Sequence, residues 1–222
     1  MLGRAATSAI LSLSIAACGA VPRGSDIDRS APQSSPHPVA VTQEAQLCLA
    51  QLTQTGSRYS PLPDRYDAPG CAVTGAVQMS AIRGDGGDLA IANIGPVECE
   101  TARVFAGWAR FGVDRAARQI LGSPIDRIET MGSYSCRNVA GTGRRSAHAT
   151  AEAIDIGAFV LEDGRRISVL DDWSAGSREE REFLRVVHNS ACRRFGTVLG
   201  PDYNAAHRDH LHVEIGGGGF CR

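Results

Sequence analysis

Six histidines occur in the chain, and four of them fall in two short segments. The first runs from Ser146 through His148 to Asp155; the second reads His207-Arg208-Asp209-His210-Leu211-His212. Imidazole nitrogen and carboxylate oxygen are ligands for a borderline ion such as zinc, at about 2.0–2.2 Å. A turn between His148 and Asp155 can bring both to one point. His210 and His212 are two positions apart, so on a strand they project to the same face. Three ligands drawn from two segments leave a fourth corner open, which is the layout of a catalytic zinc site rather than a structural one. The chemistry such a site serves is metal-assisted hydrolysis, in which the ion acidifies water and a base removes its proton. One zinc ion is therefore the expected cofactor. His37 and His188 lie outside both segments.

These ligands must be carried by elements that the pattern outlines. A helix is expected over residues 43–54, capped by Thr42 and ended by Gly56. Strands are expected at 73–82, 89–92, 125–131 and 153–160. A helix over 98–109 resumes at 113–121 after Gly112 and stops at Gly122-Ser123-Pro124. The clearest helix spans 178–195, with Phe183, Val186, Val187 and Ala191 on one face and Gly196 as its C-cap. Short strands follow at 197–199 and 211–215. His148 then lies in a loop and Asp155 in the strand after it. Helices first, then strands interrupted by one helix, predict an α+β fold with an antiparallel sheet.

Composition narrows the function classes. Apolar residues make up 43% and charged residues 21% of the 222, an ordinary globular balance that excludes full disorder. The formal net charge is −1 and aromatic residues are 5%, so neither a basic field nor a stacking platform for nucleic acid is present. Residues 1–17 carry one early positive charge, Arg4, then a mildly apolar stretch ending in small residues, the layout of a signal peptide. It runs into Ile15-Ala16-Ala17-Cys18, which resembles a lipobox and makes Cys18 a candidate for lipidation, with a membrane anchor as the consequence. Residues 18–42 are rich in Pro and Ser and read as a flexible tether, leaving 43–222 as one folded domain. Of seven cysteines, setting Cys18 aside leaves Cys48, Cys71, Cys99, Cys136, Cys192 and Cys221. In an exported chain these are candidates for three disulfides, with the pairing left open. The expected location is the periplasm, with the lipid tethering the domain to the outer membrane.

The order Ser146-x-His148-x6-Asp155, followed by His210-x-His212, resembles the zinc peptidase group of lysostaphin-type endopeptidases, D-Ala-D-Ala peptidases and the hedgehog signalling domain. His207-x-x-His210-x-His212 is also similar to the spacing in penicillin-insensitive murein endopeptidases. More closely, residues from about 46 to 221 resemble the bacterial extensin-like C-terminal domain family. The strings that carry this are Gly132-Ser133-Tyr134-Ser135-Cys136-Arg137, Ser168-Val169-Leu170-Asp171-Asp172-Trp173 and Phe195 through His207. The resemblance implies a hedgehog- or D-Ala-D-Ala-peptidase-like core, a central antiparallel sheet with helices packed mainly on one side. It implies His148, Asp155 and His212 as the zinc ligands and peptidoglycan peptides as the substrate class. The base it implies is either Asp209 or His210. Strand alternation favours His210, because Asp209 on a regular strand would point away from His212; Asp209 otherwise serves to orient a histidine. Arg137 is the match for the residue that stabilises the oxyanion. Ser133, Tyr134, Tyr203, Asn204 and His207 are the expected substrate contacts, and Asp171-Asp172-Trp173 is expected to shape a loop near the cleft. One departure is that the peptidase group usually has Gly in the segment after the first histidine, where this chain has Ala151 and Glu152.

Two functions from different classes follow. One is a zinc peptidase, endopeptidase or carboxypeptidase, acting on cell-wall peptide. The other is a zinc-stabilised wall-binding or partner-binding lipoprotein without turnover. Retention of both base candidates favours the enzyme. A purely structural disulfide-stapled lipoprotein would hold no metal.

Overall fold

The computed structural model describes residues 42–222. The signal-like segment, Cys18 and the tether up to residue 41 lie outside the described residues. In chain order the elements are α1 (Gln43–Gln54), β1 (Arg58–Pro61), β2 (Arg65–Ala68), β3 (Cys71–Val73), β4 (Ala76–Arg83), β5 (Asp88–Ala92), β6 (Pro96–Glu98), α2 (Cys99–Trp108), β7 (Ile125–Gly132), β8 (Ala153–Leu161), β9 (Arg166–Ser168), α3 (Val169–Ala175), α4 (Arg178–Cys192), β10 (Thr197–Leu199), β11 (Leu211–Glu214) and β12 (Phe220–Cys221). The fold is α+β.

Ten strands form one sheet in the order β1-β4-β5-β7-β8-β11-β10-β12, with β6 added on β4 and β9 on β8. Most pairings are antiparallel, as expected. β5 with β7 and β10 with β12 are parallel. The first of these follows from a helical crossover, since the chain between β5 and β7 forms α2 and must return to start β7 in the same direction.

Local chemistry sets the helix ends. Thr42 accepts a hydrogen bond from Ala45 N and caps α1. The Glu98 carboxylate accepts from the amides of Glu100 and Thr101, both at 2.9 Å, and caps α2. Ser177 and Glu180 form a reciprocal capping box at the start of α4. Gly112 does not break the helix after Trp108. The chain continues in wide turns through Ala109–Asp114 and on through Ala117–Leu121. A Cβ on Gly112 would stand 2.3 Å from Ser190 Oγ, so this glycine lets the helix approach α4 closely. Val186, expected on the apolar face of α4, is 38% exposed.

The core lies between the helices and one face of the sheet. Ile154, Ile156, Leu211, Val213 and Val198 bury their side chains with Phe105, Trp108, Phe183, Leu184 and Val187. Trp108 meets Phe159 at 6.3 Å and Phe195 at 6.2 Å edge-on, and its indole donates to the Val187 carbonyl. Because side chains alternate along a strand, burying Ile154, Ile156, Leu211 and Val213 sends Asp155, His212 and Glu214 to the opposite face. The helical layer thus decides which face carries the polar groups.

Three disulfides staple this body: Cys48–Cys99, Cys71–Cys136 and Cys192–Cys221. The first joins α1 to α2. The second ties β3 to the segment after β7, and the third ties α4 to β12.

Gly196 is not a C-cap, since α4 ends at Cys192 with Arg193 as its cap. A Cβ at Gly196 would lie 2.5 Å from the Ile215 carbonyl oxygen and 2.6 Å from that of Gly216. The Gly196 amide donates to the Glu214 carbonyl at 2.9 Å, so the backbone here abuts the end of β11. Gly196→Ala is expected to lower stability by about 1–3 kcal/mol through this steric conflict. Urea unfolding measures it, and an unchanged midpoint would contradict the close approach.

Candidate metal centre

Asp155 on β8 and His212 on β11 are direct partners across the antiparallel pair. Opposed residues on neighbouring strands bring their side chains together on one face, and here His212 Nδ1 lies 2.8 Å from Asp155 Oδ1. His148 arrives from a separate tight turn, Ala147–Thr150, that packs against β8. Ser146 caps that turn by accepting from the His148 amide at 3.4 Å. His148 Nε2 stands 3.2 Å from His212 Nδ1 and 3.2 Å from Asp155 Oδ2. The three residues therefore converge, and both histidines are buried.

The outer nitrogens of both rings are held from behind. His148 Nδ1 donates to the Ser133 carbonyl at 2.6 Å, and His212 Nε2 donates to Glu214 Oε2 at 3.3 Å. Each partner fixes a tautomer in which the inner nitrogen faces the cluster, the arrangement that metal-bound histidines adopt. A tetrahedral ion with ligands at about 2.0–2.2 Å sets them roughly 3.3–3.6 Å apart. The donor separations of 2.8–3.2 Å are shorter than that span, so the three side chains part by a few tenths of an ångström to admit an ion. Two nitrogens and one oxygen suit a zinc-like ion.

Ala151 follows the His148 turn in the left-handed region, at φ 59°. This is backbone that glycine adopts without strain. Alanine pays about 1–2 kcal/mol for the conformation, and three bonds hold it there. Its amide donates to the His148 carbonyl at 3.2 Å. Its own carbonyl accepts from the Glu98 amide at 2.9 Å and from Ser133 Oγ at 3.2 Å.

The remaining expected residues sort by contact. His210, just before β11, faces the same side as His212, with Nε2 3.6 Å from Asp155 Oδ1. Its Nδ1 donates to Asp209 Oδ1 at 2.8 Å. Asp209 is thus behind His210 rather than beside the three ligands. Arg137 Nη2 lies 3.9 Å from Asp155 Oδ2. Ser133, expected to contact substrate, is 1% exposed. Its carbonyl and hydroxyl are engaged by His148 and Ala151, so it supports the site from inside. The Tyr134 hydroxyl is bonded to Asp67, and Arg65 lies over its ring at 5.1 Å. His207 Nδ1 donates to Asn204 Oδ1 at 2.8 Å. Asn204 Oδ1 also accepts from the Ala206 amide, so Asn204 shapes its own loop. The His207 ring lies 5.1 Å from that of His210 and 5.9 Å from that of His212. Tyr203, 43% exposed, meets His207 at a tilt and Phe220 edge-on and remains open to a ligand.

Asp171 and Asp172 lie in the short helix α3 and not in a loop. Trp173 donates its indole N–H to Asp202 Oδ1 at 2.9 Å, Arg185 stacks on the indole at 3.7 Å and also pairs with Asp202. This set pins the start of the connection between β10 and β11 that carries Tyr203, His207 and His210. Glu214 is a further residue of the site, not among those expected; its signal in the sequence is its place two residues past His212 on a strand and so on the same face.

A match to the family model described as extensin-like protein C-terminus covers residues 46–222. The chain belongs to this extensin-like family. No curated protein and no solved structure matches it. In the extensin-like domain, then, the His148–Asp155–His212 cluster sits inside the matched span, as do all three disulfides.

Electrostatics follow from the geometry. Burial alone would raise the Asp155 carboxyl, but hydrogen bonds from His148 and His212 hold it well below the usual carboxylate range. Burial lowers His212 while Asp155 and Glu214 more than offset this, raising it to about 9. Burial, then the neighbouring His210 and His212, push His207 down to about 4, so it is neutral at pH 7.

Metal uptake by the extensin-like domain is expected to displace the His212 proton. Release near one proton per zinc at pH 7 should fall toward zero above pH about 9, as followed in weakly buffered titrations. His148→Ala is expected to abolish zinc binding, and Glu214→Gln to weaken it about 10–100-fold. Competition with a chromogenic chelator reads both, and unaltered affinity in either variant would contradict the assignment.

Proposed function

We propose that the chain is an exported zinc-dependent peptidase that hydrolyses amide bonds in peptidoglycan peptides. The observation that carries this reading is the convergence of His148, Asp155 and His212 with a third histidine, His210, oriented by a carboxylate beside them. Its support from sequence is the order Ser146-x-His148-x6-Asp155 and His210-x-His212, which resembles the lysostaphin and D-Ala-D-Ala peptidase group. The signal-like N-terminus and Cys18 fit an enzyme held at the periplasmic face of the outer membrane.

His148 Nε2, Asp155 and His212 Nδ1 would hold the ion. When bound, zinc supplies Lewis acidity, which acidifies water and polarises a carbonyl. The chain's own groups supply the rest. With its Nδ1–H donating to the Asp209 carboxylate, His210 has a bare Nε2 facing the cluster and is the base that takes a proton from the attacking water. It returns that proton to the leaving amine. Asp209 keeps the ring oriented and stabilises the imidazolium, which makes it a positioning residue. The Arg137 guanidinium, on the Asp155 Oδ2 side, stabilises the oxyanion that develops on the scissile carbonyl. Neutral His207 and exposed Tyr203 line the rim for peptide contact.

His210→Ala is expected to keep zinc and to lower cleavage of purified sacculi by about 10²–10⁴-fold, with a smaller loss in Asp209→Ala. Release of muropeptide fragments, identified by mass, is the measurement. Identical fragment profiles from wild type and both variants, with zinc present throughout, would favour a binding module instead.

A further inference from the structure

A second group of metal-ligating side chains meets at the C-terminal end of α4. His188 Nδ1 lies 3.9 Å from Cys192 Sγ, one helical turn on, and Cys192 is joined to Cys221. One donor atom from each of the three lies within 4.8 Å of the others. The opposite ring nitrogen, Nε2, is 3.2 Å from the Arg222 carbonyl oxygen. That oxygen can only accept, so the ring proton sits on Nε2 and Nδ1 is left with a bare lone pair. The histidine is 8% exposed. Its lone pair is therefore aimed, out of water, at a sulfur that has no proton to give while the disulfide stands.

Neither cysteine of this disulfide is sealed in the core. The other two each have a cysteine sealed in the core, Cys99 at 2% and Cys71 at 1% exposure. Cys192 and Cys221 are both only half-buried. Cys221 lies on the two-residue strand β12, directly after a run of glycines in which Gly217 and Gly219 have φ of 109° and 81°. Such backbone can give by the ångström or so that two sulfurs need to share an ion instead of a bond.

We propose that reduction of Cys192–Cys221 by a dithiol opens a second metal site, in which both sulfurs and His188 Nδ1 bind a thiophilic ion of the zinc class. The dithiol passes two electrons to the S–S bond and closes into its own disulfide. Its two protons end on Cys192 and Cys221, and the ion displaces them as the thiolates bind. Two sulfurs and one nitrogen make a softer donor set than the two nitrogens and one oxygen of the first centre, so the sites differ in preference. The Trp173 ring stands edge-on to His188 at 5.7 Å. The second site thus abuts the anchor of the connection that carries His207 and His210.

The test uses the domain with its first centre saturated with zinc. After limited dithiol treatment, alkylation mapping of one aliquot establishes that Cys192 and Cys221 alone are free. Cobalt(II) is then added to the unalkylated remainder, freed of dithiol. The expected result is one equivalent bound with a sulfur-to-cobalt charge-transfer band, which the sulfur-free first centre cannot produce. His188→Ala, reduced in the same way, is expected to bind cobalt about 10-fold more weakly or worse, and reoxidation should release the ion. A missing band with both thiols free overturns the proposal, as does unchanged affinity in His188→Ala. Loss of near-ultraviolet circular dichroism on reduction also overturns it, because the site needs α4 and β12 in place.

Discussion

Two buried imidazole nitrogens held 3.2 Å apart, each with its far side tied to a fixed acceptor, cannot both present lone pairs to each other without a cation between them. Asp155 brings negative charge between the rings and Glu214 adds it behind His212, yet one carboxylate cannot serve both inner nitrogens without a proton or a metal ion. The rest of the domain answers to this constraint. The pairing of β8 with β11 sets Asp155 against His212, Ser133 sets the His148 ring and Glu214 sets the His212 ring. A slip of one residue in the β8–β11 register would move the carboxylate to the helical face and dissolve the cluster.

The fold divides its labour across the sheet. One face buries Trp108, Phe159 and Phe183 under the helices and gives the strands their rigidity. The other face carries the site, supported by connections that could not be rigid alone. Those connections are tied at identifiable points. Cys71–Cys136 holds the segment that bears Arg137 against β3. Trp173 and Arg185 hold Asp202, and with it the approach to His207. Paired strands place Asp155 and His212 and a capped turn places His148, while stapled loops place His210, Arg137 and the exposed tyrosine.

Where the pattern was long and periodic, the elements could be read directly. α1 spans the expected residues with the expected cap, and β7, β8 and α4 start where apolar periodicity starts. The short strands β2, β6, β9 and β12 were not legible, because two to four residues leave no period to detect. Glycines misled for a physical reason. Gly112 and Gly196 look like stops, yet each is there because a neighbouring chain comes too close for a Cβ. Ser133 misled differently. Nothing local distinguishes a serine that meets substrate from one whose carbonyl holds a histidine ring.

Residue types and spacing alone determined that two histidine-bearing segments and one carboxylate form a candidate metal site, that the fold is α+β, and that six cysteines in the folded body form disulfides. The tertiary structure decided the disulfide pairing, the placing of Asp209 behind His210, and the support given by Ser133 and Glu214. The division has a simple origin. Ligand chemistry and strand alternation are local properties, carried by neighbours within a few positions. Which carbonyl faces which ring, and which sulfur meets which, depends on groups tens of residues apart that only the packed sheet brings within reach.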